Sequence, residues 1–280
     1  MSVYNAIAHI FAAVSTGGFS THNASVAFYD SAYIDYVLTF IMFFSGANFN
    51  LHLAAIRGRT LRPYRDAEFG FYAVIVVSSV LMICAVLIWH GAYDDFIAAL
   101  RYASFQVVSI ITTTGFVTAN YALWPMFTQL LLLALMLVGG CAGSTAGAIK
   151  CVRFQVVIKE SIAELKRMIH PNAVVAIFQG RNTASPSMVT SAASFIAIYF
   201  IIWGASALAV SLSGHDIVTS ISAVAATLSN VGPGLADVGP VSNFADQSTF
   251  AKWVYTFDML CGRLELYTVL VLFTRDLWKK

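Results

Sequence analysis

The sequence predicts an all-α integral membrane protein built from tandem span–pore-helix–span repeats around a pseudo-fourfold pore, and three observations carry that reading. Of its 280 residues, 59% are hydrophobic and only 11% charged, against about 25% charged in an ordinary soluble domain. The mean hydropathy is +0.76. Too little charged surface remains to cover apolar segments of this length as the buried core of a soluble protein. Five of those segments reach the roughly 20 apolar residues that a bilayer core requires. Three shorter apolar runs each end in a small-residue turn around a glycine, and aligned on Gly18, Gly115 and Gly232 the turns lie 97 and 117 residues apart.

Taken in order, the first short run (9–14) enters Ser15-Thr16-Gly17-Gly18-Phe19-Ser20-Thr21 and is followed by a predicted span over 32–55. A second span (69–90) precedes the run 105–111, which enters Thr112-Thr113-Thr114-Gly115-Phe116-Val117-Thr118. A third span, from 125 to about 158, is interrupted by Gly139-Gly140-Cys141-Ala142-Gly143-Ser144-Thr145-Ala146-Gly147. A fourth (188–213) precedes the run 222–228, which enters Ser229-Asn230-Val231-Gly232-Pro233-Gly234, and a fifth covers 250–274. The short runs, about 10 to 16 residues, suit helices that enter the membrane partway and return as extended backbone. The expected units are 1–58 (partial pore repeat), 66–182 (pore repeat with an interrupted inner helix) and 186–280 (last pore repeat). Three of the four turns that a closed ring needs are present.

Charge sets the orientation. Arg57, Arg59, Arg62, Arg65, Lys150, Arg153, Lys159, Lys166, Arg167, Arg181, Arg275, Lys279 and Lys280 account for thirteen of the 16 basic residues, and all fall on one side of the threaded spans. The positive-inside rule makes that side cytoplasmic and turns the glycine motifs outward, where Asp30, Asp94, Asp95, Asp216, Asp237 and Asp246 lie. A net charge of +2 gives no reason to expect nucleic acid. Cys84, Cys141, Cys151 and Cys261 sit in or beside apolar segments without metal-ligand spacing and read as packing residues. The six histidines show no helix-metal spacing, and the segment 139–147 lacks the Gly-Lys-Ser/Thr ending of a phosphate loop. Neither an enzyme nor a bound cofactor is expected.

The turns suit an alkali cation. Glycine permits backbone angles that point successive carbonyls the same way, and Thr and Ser add hydroxyl oxygens. Such oxygens replace a cation's hydration shell without any charged side chain. Irregular backbone at membrane depth survives only where it is buried in protein or lines a watery cavity. Residues 139–147 are therefore expected to form an intramembrane loop midway along the pore, able to obstruct ions and move aside; the alternative is a hinge with no gating role. Arg263, within the last span, costs about 2.5–3.5 kcal/mol there even on a lenient scale and should face the pore or a partner. It would act as an electrostatic barrier or pin the loop; alternatively it bonds helix carbonyls. Glu265 (i+2) and Asp258 (five residues earlier) are poorly placed to pair with it on one helix face.

Ser15 to His22, Thr112 to Phe116, Gly139 to Gly147, Asn230 to Gly234 and Gly262-Arg263-Leu264-Glu265 together resemble the TrkH-type potassium uptake proteins of the Trk/Ktr/HKT superfamily. The segments 105–109 and His170-Pro171-Asn172-Ala173-Val174 are closer to the TrkH than to the KtrB branch. The resemblance implies a four-repeat pore whose filter includes Thr16, Gly17, Gly18, Thr113, Thr114, Gly115, Asn230, Val231 and Gly232, with potassium held at the backbone carbonyls of Thr16, Thr113, Asn230 and their neighbours. It implies a gating loop with Gly139, Gly140, Gly143, Ser144, Thr145 and Gly147, and Arg263 as the pore arginine beside it. It further implies a homodimer in the bacterial inner membrane, seated on a TrkA-type nucleotide-binding regulatory subunit. The family's first repeat and the outer helix of its second lie outside this sequence. The chain is thus expected to be a fragment of a potassium uptake pore, unable to conduct alone. An ion-coupled (proton or sodium) symporter and a non-conducting remnant are the alternatives. Asp258 and Glu265 are the only intramembrane carboxylates the sequence offers a proton relay.

Overall fold

A computed structural model describes residues 1–173, 175–180 and 182–279. Val174 of the quoted motif, and Arg181 and Lys280 of the basic set, lie outside the described residues. The described residues are mostly helical, and a two-residue antiparallel ladder, Phe178–Gln179 against Asn182–Thr183, is the sheet among them. That the protein is a helical membrane protein follows from the two uninterrupted apolar helices, α4 (Ala67–Trp89) and α8 (Pro186–Ser211), each long enough to cross a bilayer. Both are apolar around most of their circumference. Val74, Leu81 and Trp89 on α4 and Ile201 and Leu208 on α8 stand exposed, as lipid-facing side chains do. Asp66 caps α4 by accepting the N–H groups of Glu68 and Phe69, and Ser185 with Pro186 starts α8.

The three short runs are helices of 12, 16 and 12 residues: α1 (Val3–Val14), α5 (Phe96–Ile111) and α9 (Ile217–Leu228). Each starts at a side-chain cap, Ser2, Asp95 and Asp216 respectively, accepting an N–H of the first turn. The last seven residues of α5 and nine of α9's twelve are buried, so α5 and α9 lie inside the protein rather than against lipid. The α5 helix packs on α4, and α9 packs on α8.

The spans expected over 32–55 and 250–274 are not single helices. The first is α2 (Ala32–Ser45) and α3 (Phe49–Gly58), bent by 95° at a short break. The last is α10 (Thr249–Arg263), α11 (Leu266–Val271) and the terminal turn α12 (Arg275–Trp278). The third is interrupted as expected, into α6 (Met126–Val138) and α7 (Cys151–Ile169). All three inner helices thus break after the turn they follow, and the bonds at the breaks give the reason. The Gly46 carbonyl accepts the Cys141 N–H at 2.8 Å instead of propagating α2, and Asn48 recaps the chain at α3. The α10 helix stops where Glu265 takes a left-handed φ of 60°. At Gly46 the helix bond is given up to the loop between α6 and α7.

A buried ion pair ties α2 to α5: Arg101 Nε donates to Asp35 Oδ2 at 2.7 Å, with side chains 16% and 2% exposed. Asp30, on the loop before α2, takes the other edge of the same guanidinium at 3.3 Å. Removing one member of a buried pair leaves its partner desolvated and uncompensated. Asp35→Ala is therefore expected to cost about 3 kcal/mol, read as a lowered thermal midpoint of the purified protein, whereas Asp30→Ala at an 84% exposed side chain should cost little.

Candidate functional site

Each short helix ends in the same way. The N–H groups of Gly17, Thr114 and Val231 reach back five residues to the carbonyls of Ala12, Ser109 and Ala226, at 2.8, 2.9 and 2.8 Å. The residue before each, Thr16, Thr113 or Asn230, bonds back three residues and is left-handed, with φ of 52°, 57° and 58°. This is a Schellman-type helix end in which threonine or asparagine fills the place usually given to glycine. A left-handed β-branched residue is an outlier, and its hydroxyl explains it here. Thr16 Oγ1 donates to the Thr145 carbonyl at 2.8 Å, and Thr113 Oγ1 accepts the Gly147 N–H at 2.7 Å. Asn230, which tolerates this region, donates from Nδ2 to the Met259 carbonyl at 3.2 Å.

Two residues on, Gly18, Gly115 and Gly232 are left-handed again, at 67°, 80° and 105°. Left-handed residues at alternate positions rotate successive peptides so that their carbonyls face the same side. Among the described residues, none of the carbonyls of Thr16–Gly18, Thr113–Gly115 or Asn230–Gly232 accepts a protein hydrogen bond. Nine unpaired carbonyls in three matched turns, with Thr16, Thr113 and Thr114 nearly fully buried, depart from the near-complete pairing of buried backbone. Such a cluster offers its lone pairs to a desolvated cation. The turns also abut in sequence: a Cβ on Gly18 would collide with the Thr114 carbonyl, and one on Gly115 with the Val231 carbonyl. A Cβ on Gly232 would meet nothing within 4 Å. A cavity of about 570 Å³ lies between the first and third turns, touching Thr16, Gly17, Asn230, Val231, Gly232 and Arg263.

The strand leaving each turn is braced by a polar side chain on the preceding helix, which the sequence reading missed. His9, fully buried, contacts Ser20 Oγ at 2.9 Å through Nε2 and the Asn5 carbonyl at 2.7 Å through Nδ1. Ser109 Oγ donates to the Phe116 carbonyl at 2.7 Å. In the third copy the Leu235 N–H donates to Ser222 Oγ at 3.0 Å. No shared spacing marks these residues in the sequence, since they precede Gly18, Gly115 and Gly232 by nine, six and ten residues.

Residues 139–147 pack against all three turns. Thr145 is the focus, its carbonyl receiving both the Thr16 hydroxyl and Arg263 Nη1 (3.1 Å), while its own hydroxyl donates to the Val14 carbonyl at 3.0 Å. Gly147 lies against the Ser229 carbonyl of the third turn and donates to Thr113 of the second. Gly140 packs on the Gly46 carbonyl, and its own carbonyl accepts the Cys151 N–H at 2.9 Å. Gly143 is left-handed at 72° against the Asn48 side chain, and its carbonyl accepts the Phe49 N–H. Gly139 is left-handed at 76°, and Ser144 Oγ closes a tight turn on the Cys141 carbonyl at 2.6 Å. A polar cavity of about 230 Å³ beneath the loop touches Lys150, Tyr199, Arg263 and Glu265.

The expected isolation of Arg263 from its neighbouring acids holds. Glu265 pairs instead with Arg153 at 3.3 Å, and Arg153 lies over the Phe195 ring at 3.7 Å. Asp258 is fully buried and accepts from Ser206 Oγ at 2.7 Å. Asp35 and Glu68 are further buried carboxylates in or beside the helices that the sequence reading had not counted. No group of three or more His, Cys, Asp or Glu side chains suited to a metal ion occurs among the described residues.

The family model for TrkH, described as cation transport protein, matches residues 1–280. The Trk system potassium uptake protein TrkH of Salmonella typhimurium is 42% identical over 283 residues, covering 100% of this chain and 58% of the relative. TrkH of Escherichia coli K12 is 41% identical with the same coverage, and TrkG of that organism 32% identical with 57% of its length covered. Among solved structures, the crystal structure of the potassium transporter TrkH from Vibrio parahaemolyticus superposes with a TM-score of 0.93 at 38% identity, covering 100% of this chain and 60% of that one. This chain therefore spans less than two thirds of the length of the relatives it matches.

Proposed function

Since the chain belongs to the TrkH family of cation transport proteins, a transporter and not an enzyme family, we propose that it forms part of a potassium-selective uptake pore. The observation that carries this reading is the set of nine unpaired carbonyls on three turns of matched left-handed geometry. In this reading a dehydrating cation is held by the carbonyls of Thr16, Thr113, Asn230 and their neighbours, Gly17, Gly18, Thr114, Gly115, Val231 and Gly232. The open side at Gly232 and the cavity between the first and third turns are the place for a fourth turn, as a ring of four requires. The loop of Gly139, Gly140, Gly143, Ser144, Thr145 and Gly147 obstructs the path at the inner end of these turns.

Arg263 pins that loop through the Thr145 carbonyl and sets a positive charge beside the path. In this reading the chain divides into 1–58, 66–182 and 186–280, a division supported by three copies of short helix, turn and broken helix. The bacterial inner membrane, a homodimer and a TrkA-type nucleotide-binding subunit on the arginine-rich face complete the proposal. Potassium is substrate here, and no resident cofactor is called for.

Potassium and sodium flux through the full-length protein in proteoliposomes tests the reading. Potassium flux that exceeds sodium flux and reverses at the potassium equilibrium potential at every pH is expected. A reversal potential that moves with pH would favour the coupled symporter, and absence of flux would favour the remnant. Arg263→Ala removes both the charge and the contact to Thr145, so basal potassium flux should rise by about tenfold, the equivalent of one charge-assisted hydrogen bond. Unchanged flux at equal protein abundance would remove Arg263 from the pore.

A further inference from the structure

Two charged side chains contact the backbone of the 139–147 loop among the described residues. Arg263 holds the Thr145 carbonyl. The other is Glu68, in the first turn of the uninterrupted helix α4, whose Oε1 accepts the Ala142 N–H at 2.5 Å. Glu68 is nearly buried, at 9% exposure. Beside it, Gln155 of α7 donates to the Ala67 carbonyl at 3.0 Å. Asp66 and Lys150 are the other charges facing Glu68.

We infer that Glu68 is a positioning residue for the intramembrane loop, a carboxylate that ties the loop's first peptides to the rigid span α4. The placement is what a tether needs. Ala142 lies within the irregular segment, so Glu68 fixes a peptide of the loop to the start of α4, and Gln155 holds the start of α7 to the same helix end. Its anchor is a helix of 23 residues with no break, whereas the loop's other hydrogen bonds among the described residues go to turns, to the end of the short helix α1 or to broken helices. A carboxylate accepting backbone N–H groups in a nearly dry site forms bonds about twice as strong as neutral ones.

The inference rests on the proposed obstruction of the pore by this loop, and the test is read at Cys141 so that the two fail separately. Cys141 is 1% exposed and adjoins Ala142. In the full-length protein in membranes, Glu68→Ala is expected to speed maleimide labelling of Cys141, measured by peptide mass spectrometry, by at least about tenfold, the factor lost with one charge-assisted hydrogen bond. Glu68→Gln, which keeps an acceptor oxygen, should fall between Glu68→Ala and the parent. If Glu68→Ala does not accumulate, Glu68→Asp, with a shorter reach, should give a smaller acceleration in the same direction. Cys141 labelling unchanged in a folded Glu68→Ala or Glu68→Asp protein would overturn the inference, as would faster labelling in Glu68→Gln than in Glu68→Ala. Accelerated labelling with unchanged potassium flux would leave the tether standing and overturn the gating reading instead.

Discussion

Replacing Gly115 by serine in the full-length protein is expected to lower the preference for potassium over sodium by at least about tenfold, equivalent to roughly 1.4 kcal/mol between the two ions. Two physical costs meet at this residue. Its φ of +80° is one that a side chain makes unfavourable, by roughly 1–2 kcal/mol. A Cβ built there also runs into the Val231 carbonyl of the adjacent turn, with Pro233 Cδ 3.2 Å away. Neither is the far end of a flexible side chain, so backbone must move. The atoms displaced are a carbonyl of the third turn and the peptides on either side of Gly115, which are the proposed ligands. Selectivity is the sensitive readout because it depends on small differences in how those oxygens replace water around two ions of the same charge. Reversal potentials under mixed potassium and sodium gradients measure it. Selectivity equal to the parent's would remove Gly115 from the filter.

Gly262→Ala is expected to give the largest loss of stability, at least about 3 kcal/mol, the upper end of ordinary overpacking. The cause is close approach. A Cβ here would collide with the Leu228 carbonyl at the end of α9 and come within 2.6 Å of Asn230 Nδ2. The α10 helix therefore passes the third turn at backbone-to-backbone distance, and the Asn230 to Met259 bond fixes the same crossing. Gly204 in α8 is the control, since an added Cβ there meets nothing within 4 Å, and Gly204→Ala should leave the thermal midpoint of the detergent-purified protein within a degree or two, as surface-like substitutions do. A Gly262→Ala protein melting with the parent would contradict the packing described here.

Where sequence and structure agree, the sequence pattern is local. The short apolar helices end where their glycines are, because a chain that must turn left-handed twice within three residues announces it as Thr-Gly-Gly, Thr-Thr-Gly or Asn-Val-Gly. The loop at 139–147 was legible for the same reason: four glycines in nine residues do not continue a helix. The breaks at Gly46 and Glu265 were not, since both lie in strongly apolar stretches that by hydropathy alone read as continuous spans. Gly46 ends α2 because its carbonyl is taken by Cys141, 95 residues later in the chain. Likewise nothing near Glu68 in sequence marks it as a partner of Ala142, and nothing near His9 marks its buried bond to Ser20.

The sequence by itself determined the membrane class, the three re-entrant turns with their glycines, the interrupted third span and the asymmetric distribution of basic residues. These follow from composition, from segment length and from the backbone angles that only certain residues accept. The tertiary structure alone decided that the turns abut in order, that the loop lies under all of them, and that Thr145 is shared between Thr16 and Arg263. Those facts depend on carbonyls and hydroxyls finding partners a hundred residues away, in an interior where each buried polar group must be satisfied by whatever the fold brings near it.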